Sequence, residues 1–336
     1  MAAVTFCLSV SCNKIWIDIT SRDVEFRLVD GSTKSAMTEN EFNIVSLDLL
    51  VFSSADGSLI DLPVRAVKSD AQDQLNSISS TLQIGSSVDW FVIANAKEGS
   101  FTGIVDKASF LSAYTFLSDM EPTGPVMYAS GSLSVQANTS QVSVSLERYV
   151  SKVSIGTLDV RYLDSFSIVP DVKLACIMLT NAVGSCPYSA VPSAGPVWYN
   201  KMRKEEGLPS SVSDCLVREY STITIASSGE RNVNEAFYAM PNPTDNDVNS
   251  INTPEWAERD TRLSIELLID GTPNWYNIDL PAMECNTHYR VNQVVITCPG
   301  ADSPDKPVVR SGIIYTVEVM PWDYVDTGID FGFVVP

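Results

Sequence analysis

Short runs in which apolar and polar residues alternate recur along the whole of this chain. In the run 24–29, Val24, Phe26 and Leu28 share one face, while Glu25 and Arg27 share the other. A period of two residues is typical of a half-buried β-strand. The same criterion predicts further strands at 44–52, 77–84, 89–95, 141–146, 173–179, 221–226, 236–239, 261–269, 276–280, 290–297 and 313–319.

One segment follows a different period. Within 106–120, Phe110, Leu111, Tyr114 and Leu117 recur at helical spacing, which predicts one amphipathic helix. The pattern contains none of the long helical crossovers that parallel sheets require, and this favours sandwiches. We therefore expect an all-β fold of two tandem β-sandwich domains, with one short helix in the first.

The buried face changes phase near residue 148. Val142 and Val144 occupy even positions, whereas Val153 occupies an odd one. A change of phase indicates a bulge or a change of sheet, so we place the domain boundary there. The expected domains are 13–148 and 149–336.

A β-hairpin is predicted in the second half of the chain. Leu263, Ile265 and Leu267 share one face of the first strand, and Tyr276 begins the returning apolar pattern. The residues 271–274 are Gly, Thr, Pro and Asn, which favour turns, so we expect a four-residue loop between the two strands.

The charge and the single histidine exclude several classes of function. The formal net charge of −19 repels a phosphate backbone, so we expect no nucleic-acid partner. His288 is the one histidine, which excludes a two-histidine zinc site, and the expectation for that residue is a structural or surface role rather than catalysis. The seven cysteines show no CxxC spacing. We therefore expect no catalytic residue, no cofactor and no metal, and a binding or structural protein rather than an enzyme.

The first twelve residues are typical of the end of an export signal. Residues 2–11 are apolar or small and uncharged, and the string LSVSC ending at Cys12 is similar to a lipobox. We interpret 1–12 as the remnant of a lipoprotein signal and Cys12 as the lipidated residue. The alternative is a buried first strand with incidental cysteines.

Seven motifs in order resemble those of the FimA-type fimbrillins, the type V pilus subunits of Bacteroidales bacteria. They cover the chain from about residue 20 to its end. The motifs are GSTKSAMTENEFNIVSLDLLVF (31–52), DWFVIAN (89–95), GPVMYASG (124–131), SLERYVSKVSI (145–155), AFYAMPN (236–242), THYRVNQVVIT (287–297) and VEVMPWDYV (317–325).

The resemblance implies two transthyretin-like sandwiches, export as an outer-membrane lipoprotein, and polymerisation by donor-strand exchange after a protease removes the first strand. That strand would be 24–29, with Val24, Phe26 and Leu28 as its apolar face. Lys34 stands where the family tends to carry Arg. Processing could use Lys34, Arg22 or Arg27, or could be absent, as would suit an anchor or accessory subunit.

The tail is the candidate donor strand. Ile329, Phe331, Phe333 and Val335 project to one side, and four large apolar side chains at a terminus require a groove. The alternative is that they form the last strand of their own domain. The implied partners are other fimbrial subunits and host or bacterial surface ligands, and stalk, tip and anchor roles stay open.

Two alternatives to the fimbrial subunit stay open. A lipid-anchored adhesin or glycan-binding sandwich would expose aromatic rings such as Trp198, Trp256 or Trp275 for stacking on sugars. A hydrolase would need a pair of carboxylates in a pocket, and no motif indicates such a pair.

Two further residue patterns favour structural interpretations. Asp245, Asp247, Asn249 and Glu255 resemble a calcium loop, but Ser250 replaces the glycine that an EF-hand requires. Among the cysteines, Cys176 is expected to be buried and inert, and the pairs Cys186–Cys215 or Cys285–Cys298 could form disulfides.

Overall fold

The architecture is taken from a computed structural model of the 336-residue chain. The structure describes residues 20–29, 43–69, 75–120, 124–161, 170–190, 195–202, 216–225, 230–244, 258–304 and 313–322. Several predicted features lie outside these ranges. They are Cys12, Lys34, Cys215, the calcium-loop pattern 245–255, Trp256 and the candidate donor strand 329–335.

Within the described ranges the chain forms twenty β-strands and one α-helix, so the all-β prediction is confirmed. The helix α1 is Lys107–Ser112, and a 3-10 helix follows at Leu117–Asp119. The strands are β1 (Ser21–Leu28), β2 (Ser46–Ser53), β3 (Val64–Val67), β4 (Ser77–Gln83), β5 (Ser87–Ala94), β6 (Tyr114–Phe116), β7 (Met127–Ser134), β8 (Gln141–Val144), β9 (Glu147–Arg148), β10 (Ser151–Val160), β11 (Val172–Thr180), β12 (Ala182–Val183), β13 (Ser185–Pro187), β14 (Trp198–Tyr199), β15 (Val217–Thr224), β16 (Glu230–Ala239), β17 (Arg262–Ile269), β18 (Thr272–Asp279), β19 (Thr287–Ile296) and β20 (Ile313–Pro321).

Two sheets form the first sandwich. One has five strands in the order β3-β2-β5-β7-β9, and the other has three in the order β4-β1-β8. Apolar side chains from both sheets meet in one buried cluster, because alternate residues of each strand point inward. Its members include Val24, Phe26, Leu47, Leu49, Val51, Ile78, Leu82, Val88, Trp90, Val92, Met127, Ala129 and Val144.

Two four-stranded sheets form the second sandwich. Their orders are β16-β10-β19-β20 and β15-β11-β17-β18. Both sheets contribute to one cluster of buried residues, in which Val153 and Tyr289 come from the first sheet and Ile177 and Leu263 from the second. This antiparallel-rich architecture includes one parallel pair, β10 with β19.

The two sandwiches share a continuous apolar interface. Strand β6 from the first half pairs with β13 from the second. The second face of the five-stranded sheet contributes Phe91, whose ring lies 4.7 Å from that of Phe110 on α1. Phe110 in turn stacks on Tyr188 at 5.4 Å, beyond β13. Strands β2 and β5 are therefore buried on both faces, which explains their nearly continuous apolar sequences.

The helix is much shorter than the sequence pattern predicted. It begins with a capping box in which the Asp106 carboxylate accepts from the Ser109 amide at 2.7 Å. It ends at Ser112, because the next residues leave helical geometry to pair as β6 with β13. The prediction of a helix over 106–120 was therefore wrong beyond Ser112. The apolar residues up to Leu117 are buried in the interface between the two halves.

The predicted β17–β18 hairpin is present, but the prediction of a four-residue loop was wrong. Ile269 pairs with Thr272, which leaves a two-residue turn. Asp270 and Gly271 both have positive φ angles, 49° and 79°. An Asp-Gly pair with two positive φ angles is the type I′ turn that matches the twist of adjacent strands, and Pro273 is then accommodated within β18.

Candidate functional site

Strand β1 occupies the centre of the three-stranded sheet. It runs antiparallel to β4 and parallel to β8. The Leu28 amide donates to the Asn76 carbonyl at 2.8 Å, while the neighbouring Val29 amide donates to the Val144 carbonyl at 2.8 Å. Removing β1 would therefore leave two strand edges with unpaired backbone groups, separated by the width of one strand.

The inward face of β1 fills the core of the first sandwich. Val24 and Phe26 are completely buried, and Leu28 is half-buried. The Phe26 ring lies 5.4 Å from the ring of Trp90 on the opposing sheet. The three side chains alternate along the strand, so their removal would leave three apolar pockets at a spacing of about 7 Å.

Three of the four charged residues of β1, Asp23, Glu25 and Arg27, lie on its outward face, and Arg22 lies at the end of the strand on the same face as Val24. Thr81 donates to the Asp23 carboxylate at 2.6 Å, and the Arg22 guanidinium bonds to the Ala137 carbonyl. Arg22 pairs with Leu82 of β4, and Arg27 pairs with β4 and β8. Arg22 and Arg27, two of the three predicted processing residues, therefore lie in backbone that is hydrogen-bonded to neighbouring strands. A protease could bind this segment as an extended peptide only after those hydrogen bonds were broken.

Chain order makes β1 separable from the rest of the fold. β1 ends at Leu28 in one sheet, and β2 begins at Ser46 in the other. A single cut in the connection between them would leave β1 attached to the body of the protein only by noncovalent contacts. Lys34 is the only Lys or Arg between Leu28 and Asn43.

Asn95 anchors the chain where it enters β2. Its side-chain oxygen accepts from the Val45 amide at 2.9 Å, and its side-chain nitrogen donates to the carbonyls of Asn43 at 2.8 Å and Pro125 at 3.1 Å. A Cβ on Gly124 would approach the Asn95 nitrogen to 2.6 Å, so the neighbouring glycine leaves room for it. The sequence motif DWFVIAN contained Asn95 but could not reveal these contacts, since its partners are distant in sequence.

A buried carboxylate lies on the other face of β2. Asp48 has a side chain only 4% exposed, and its carboxylate accepts from Arg65 Nη1 at 2.7 Å. Burial raises the pKa of Asp48 to about 6, against the Coulomb attraction and hydrogen bond of Arg65, which lower it. Arg65 also donates to the Ala96 carbonyl at 3.0 Å, and this ties β3 to the end of β5.

Arg148, from the motif SLERYVSKVSI, lies at the junction between the two halves. It is 2% exposed, and its guanidinium lies 4.8 Å from the ring centroid of Trp322. Trp322 stacks on Tyr238 at 5.5 Å, and the Lys152 ammonium lies 5.8 Å from the same indole. The guanidinium also donates to Asn286 at 3.1 Å. The motif therefore connects the end of the first sandwich to three parts of the second.

The described aromatic residues named for a glycan site are buried. Trp198 is 7% exposed and Trp275 is 2% exposed. A sugar ring stacks on an exposed aromatic face. Neither ring can therefore provide the stacking surface that the glycan-binding alternative required.

The single histidine contacts a serine across two parallel strands. His288 Nε2 and Ser154 Oγ are 2.7 Å apart. The residues lie on β19 and β10, and Lys152 is the register partner of His288. This hydrogen bond links the two strands, in agreement with the structural role expected for His288.

The described cysteines Cys176, Cys186, Cys285 and Cys298 are free, and Cys215 lies outside the described ranges. Cys176 is buried as expected and lies 3.6 Å from a Glu266 carboxylate oxygen, and burial raises the pKa of its thiol. Cys186 Sγ donates to the Pro187 carbonyl at 3.5 Å, and Cys285 Sγ donates to the Ala190 carbonyl at 3.8 Å. Cys285 and Cys298 are both free, so the structure does not contain a disulfide between them.

Within the described residues, no group of three or more His, Cys, Asp or Glu side chains could hold a metal ion. The described part of the chain also contains no helix with the length and apolar character needed to cross a bilayer.

Comparison with known proteins identifies similar folds among solved structures. No protein-family model and no curated protein sequence matches the chain. A candidate cell adhesion protein from Bacteroides eggerthii superposes with a TM-score of 0.68 at 16% identity, covering 89% of this chain and 95% of that chain. A second from Parabacteroides distasonis gives 0.64 at 14% identity, covering 90% and 98%.

A fimbrillin from Porphyromonas gingivalis is similar to the same extent. The TM-score is 0.66 at 14% identity, covering 89% of this chain and 97% of the fimbrillin. At sequence identities this low, the comparison shows a shared fold only. The structural match extends over nearly the whole of each chain. The resemblance to fimbrillins that the motif order indicated is confirmed at the level of the fold.

Proposed function

We propose that this chain is a structural subunit of a bacterial cell-surface fimbrium, assembled by donor-strand exchange. The fold shared with a fimbrillin and with candidate adhesion proteins supports the fimbrial role. The observation that carries the exchange step is the position of β1. It is central in its sheet, it completes the core, and one cut before β2 would separate it from the rest of the chain.

The groove left by β1 would accept a strand in either direction. Because β1 is antiparallel to β4 and parallel to β8, those two strands run in opposite directions. Any strand between them is parallel to one and antiparallel to the other, so the backbone pattern alone does not select an orientation. The apolar pockets vacated by Val24, Phe26 and Leu28 would set the direction and register.

The proposed donor is the tail of another copy or of a related subunit. Ile329, Phe331, Phe333 and Val335 repeat at every second position, which is the spacing of the β1 side chains that they would replace. The donor would restore the backbone hydrogen bonds and the apolar contacts together. The partners are therefore other fimbrial subunits, with surface ligands of a host or another bacterium at the adhesive end.

The remaining parts of the proposal concern export and processing. The chain would be exported as a lipoprotein through Cys12 and carried to the outer membrane, with cleavage after Lys34 preceding assembly. The domain boundary would lie near residue 148, between β9, which pairs with β7, and β10, which pairs with strands of the second half. The subunit needs no catalytic residue for this role.

The test combines limited proteolysis with strand replacement. Trypsin treatment of the folded protein is expected to cut after Lys34, while Arg22 and Arg27 are protected by their pairing in β1. Excess peptide 329–335 should then displace the β1 fragment and bind in its place. Fragment ends are read by mass spectrometry, and binding by native gel shift of a labelled peptide.

Two matched controls make the result specific. The variant Lys34→Gln should remain uncut and bind no peptide, and a peptide carrying Phe331→Asp and Phe333→Asp should not bind the cut protein. A cut protein that retains its β1 fragment and stays monomeric in excess peptide would contradict strand exchange.

A further inference from the structure

Strand β20 forms one edge of the second sandwich. Its sheet has the order β16-β10-β19-β20, and β19 is the one described strand that pairs with β20. Alternate residues of β20 therefore direct their backbone N–H and C=O groups away from β19. Such an edge is the surface to which another strand can be added through main-chain hydrogen bonds.

The β20 edge exposes apolar side chains on both of its faces. Ile314 is 60% exposed and lies on the outer face of the sheet. Val319 is 56% exposed and lies on the inner face, which it shares with Tyr315 and Val317, two residues that pack against the core. Exposed apolar side chains on both faces would be covered by a strand added at this edge.

Three other edge strands are protected by features that β20 lacks. The edge of β18 is covered, because Trp275 and Ala301 exchange backbone hydrogen bonds of 2.8 and 2.9 Å. β16 carries three charged side chains and is interrupted by Asn234, which has a φ angle of 53°. β3 is only four residues long. Short strands, charges and irregular backbone all hinder pairing at an edge, whereas β20 has nine residues and a single charge, Glu318.

The charge of the whole chain favours a second copy of this chain as a partner at such an edge. With a net charge of −19, two copies repel each other on average. On β20 the only carboxylate is that of Glu318, which accepts from Asn292 Nδ2 at 2.6 Å. The β20 edge is therefore a place where two copies can approach closely with little repulsion.

We propose that β20 pairs antiparallel with β20 of a second copy, so that two four-stranded sheets join into one sheet of eight strands. A strand paired with its own copy is related to it by a two-fold axis. With Val317 on that axis, all nine residues of β20 are paired. Ile314 then lies opposite Met320 of the second copy. Val319 lies opposite Tyr315 of the second copy, so each exposed apolar side chain gains an apolar neighbour.

The position of the single acidic residue agrees with this register. Glu318 lies opposite Thr316 of the second copy, whereas a register with Glu318 on the axis would place two carboxylates directly opposite each other. One strand pair buries less than the roughly 1,200–2,000 Å² of a stable interface, so we expect reversible dimers that depend on concentration. The contact uses neither β1 nor the tail, and it is independent of strand exchange.

The test is sedimentation of the purified, uncut full chain over a concentration series up to about 0.5 mM. The wild type is expected to convert from monomer to dimer within this range. Ile314→Lys combined with Val319→Lys should stay monomeric and keep the wild-type melting temperature, because both positions are exposed and an edge lysine blocks pairing. The matched control, Val64→Lys with Val67→Lys, makes the same change of charge on the edge of β3 and should dimerise as the wild type does.

Hydrogen exchange locates the contact within the chain. Where nine-tenths of the chains are dimeric, β20 amides that exchange only from the monomer should exchange about tenfold more slowly than in dilute protein. Amides of β3 should exchange at the same rate at both concentrations.

A wild type that stays monomeric at the highest concentration would overturn the proposal, as would a dimer that persists in the Ile314→Lys, Val319→Lys variant. The full-length variant with Phe331→Asp and Phe333→Asp should dimerise normally. Loss of its dimers would assign the contact to the tail and overturn the pairing of β20 with itself. The uncut chain keeps β1 in place, so this assay and peptide binding by the cut protein can succeed or fail separately.

Discussion

Replacing Phe26 with alanine tests whether β1 is an integral part of the core. Phe26 is 0% exposed, its ring lies 5.4 Å from that of Trp90, and its register partners are Ile78 on β4 and Val142 on β8. Truncation to alanine removes the favourable free energy of burying the ring and leaves a cavity between the two sheets. The cavity cannot close easily, because hydrogen bonds between strands hold both backbones in place. Buried Phe→Ala changes cost about 3–5 kcal/mol. Loss of the aromatic pair with Trp90 adds to this cost, so the change should not fall at the lower end of that range.

The assay is equilibrium urea unfolding of the wild type and the variant. Phe26→Ala should lower the free energy of unfolding by about 4 kcal/mol. The matched control is Arg27→Thr, on the exposed face of the same strand, which should change it by less than about 0.5 kcal/mol. A loss below about 1 kcal/mol for Phe26→Ala would refute the reasoning, because β1 would then not fill the groove.

The same variant makes a prediction about exchange. After cleavage at Lys34, β1 is retained only by noncovalent contacts, so weakening them should increase the rate at which the fragment leaves. The cut Phe26→Ala protein should therefore take up the peptide 329–335 faster than the cut wild type, measured by native gel shift over time. Equal uptake rates would indicate that departure of β1 does not limit exchange.

Three further changes have outcomes set by the structure. The pKa of Asp48 is raised by burial from 3.8 to about 6, so the folded protein holds this proton more tightly than the unfolded chain. Wild-type stability should thus fall by about 2–3 kcal/mol relative to Asp48→Asn as the pH rises from about 4 to about 6, measured by urea unfolding at each pH. A Cβ on Gly131 would lie 2.6 Å from the Trp90 ring, so Gly131→Ala should cost about 1–3 kcal/mol, whereas Ser130→Ala on the exposed face should be nearly neutral. Gly271→Ala places a side chain at a φ of 79° in the type I′ turn and should cost about 1 kcal/mol by thermal unfolding; an unchanged melting temperature would contradict the turn assignment.

Local patterns in the sequence were sufficient to identify most strands and their buried faces. Val24 and Phe26 face the core as their alternation predicted, and the β17–β18 hairpin lies where its apolar residues placed it. These features depend on residues two positions apart or on neighbouring strands. The strand period is a property of the backbone, so it can be read without knowledge of the partners.

Two sequence patterns led to wrong predictions, because each was consistent with more than one local structure. Leu117 continues a helical spacing after α1, but its burial comes from the packing of the two halves. The residues around Gly271 correctly indicated a turn, but the predicted loop was too long. Proline is typical of loops, and the sequence alone did not show that Pro273 pairs with Leu268 within the sheet. In both cases the composition was locally consistent with more than one structure.

The order of residues along the chain was enough to predict short strands with one apolar face, a strong negative charge and a resemblance to fimbrillins. The folded structure was needed to show that β1 lies between β4 and β8, that Asn95 holds the entry to β2, and that Arg148 contacts Trp322 and Asn286. The physical reason is the range of the interactions. Periodicity and turn chemistry act within a few residues, whereas strand order and side-chain contacts join positions that are tens to more than a hundred residues apart and depend on the packing of the whole core.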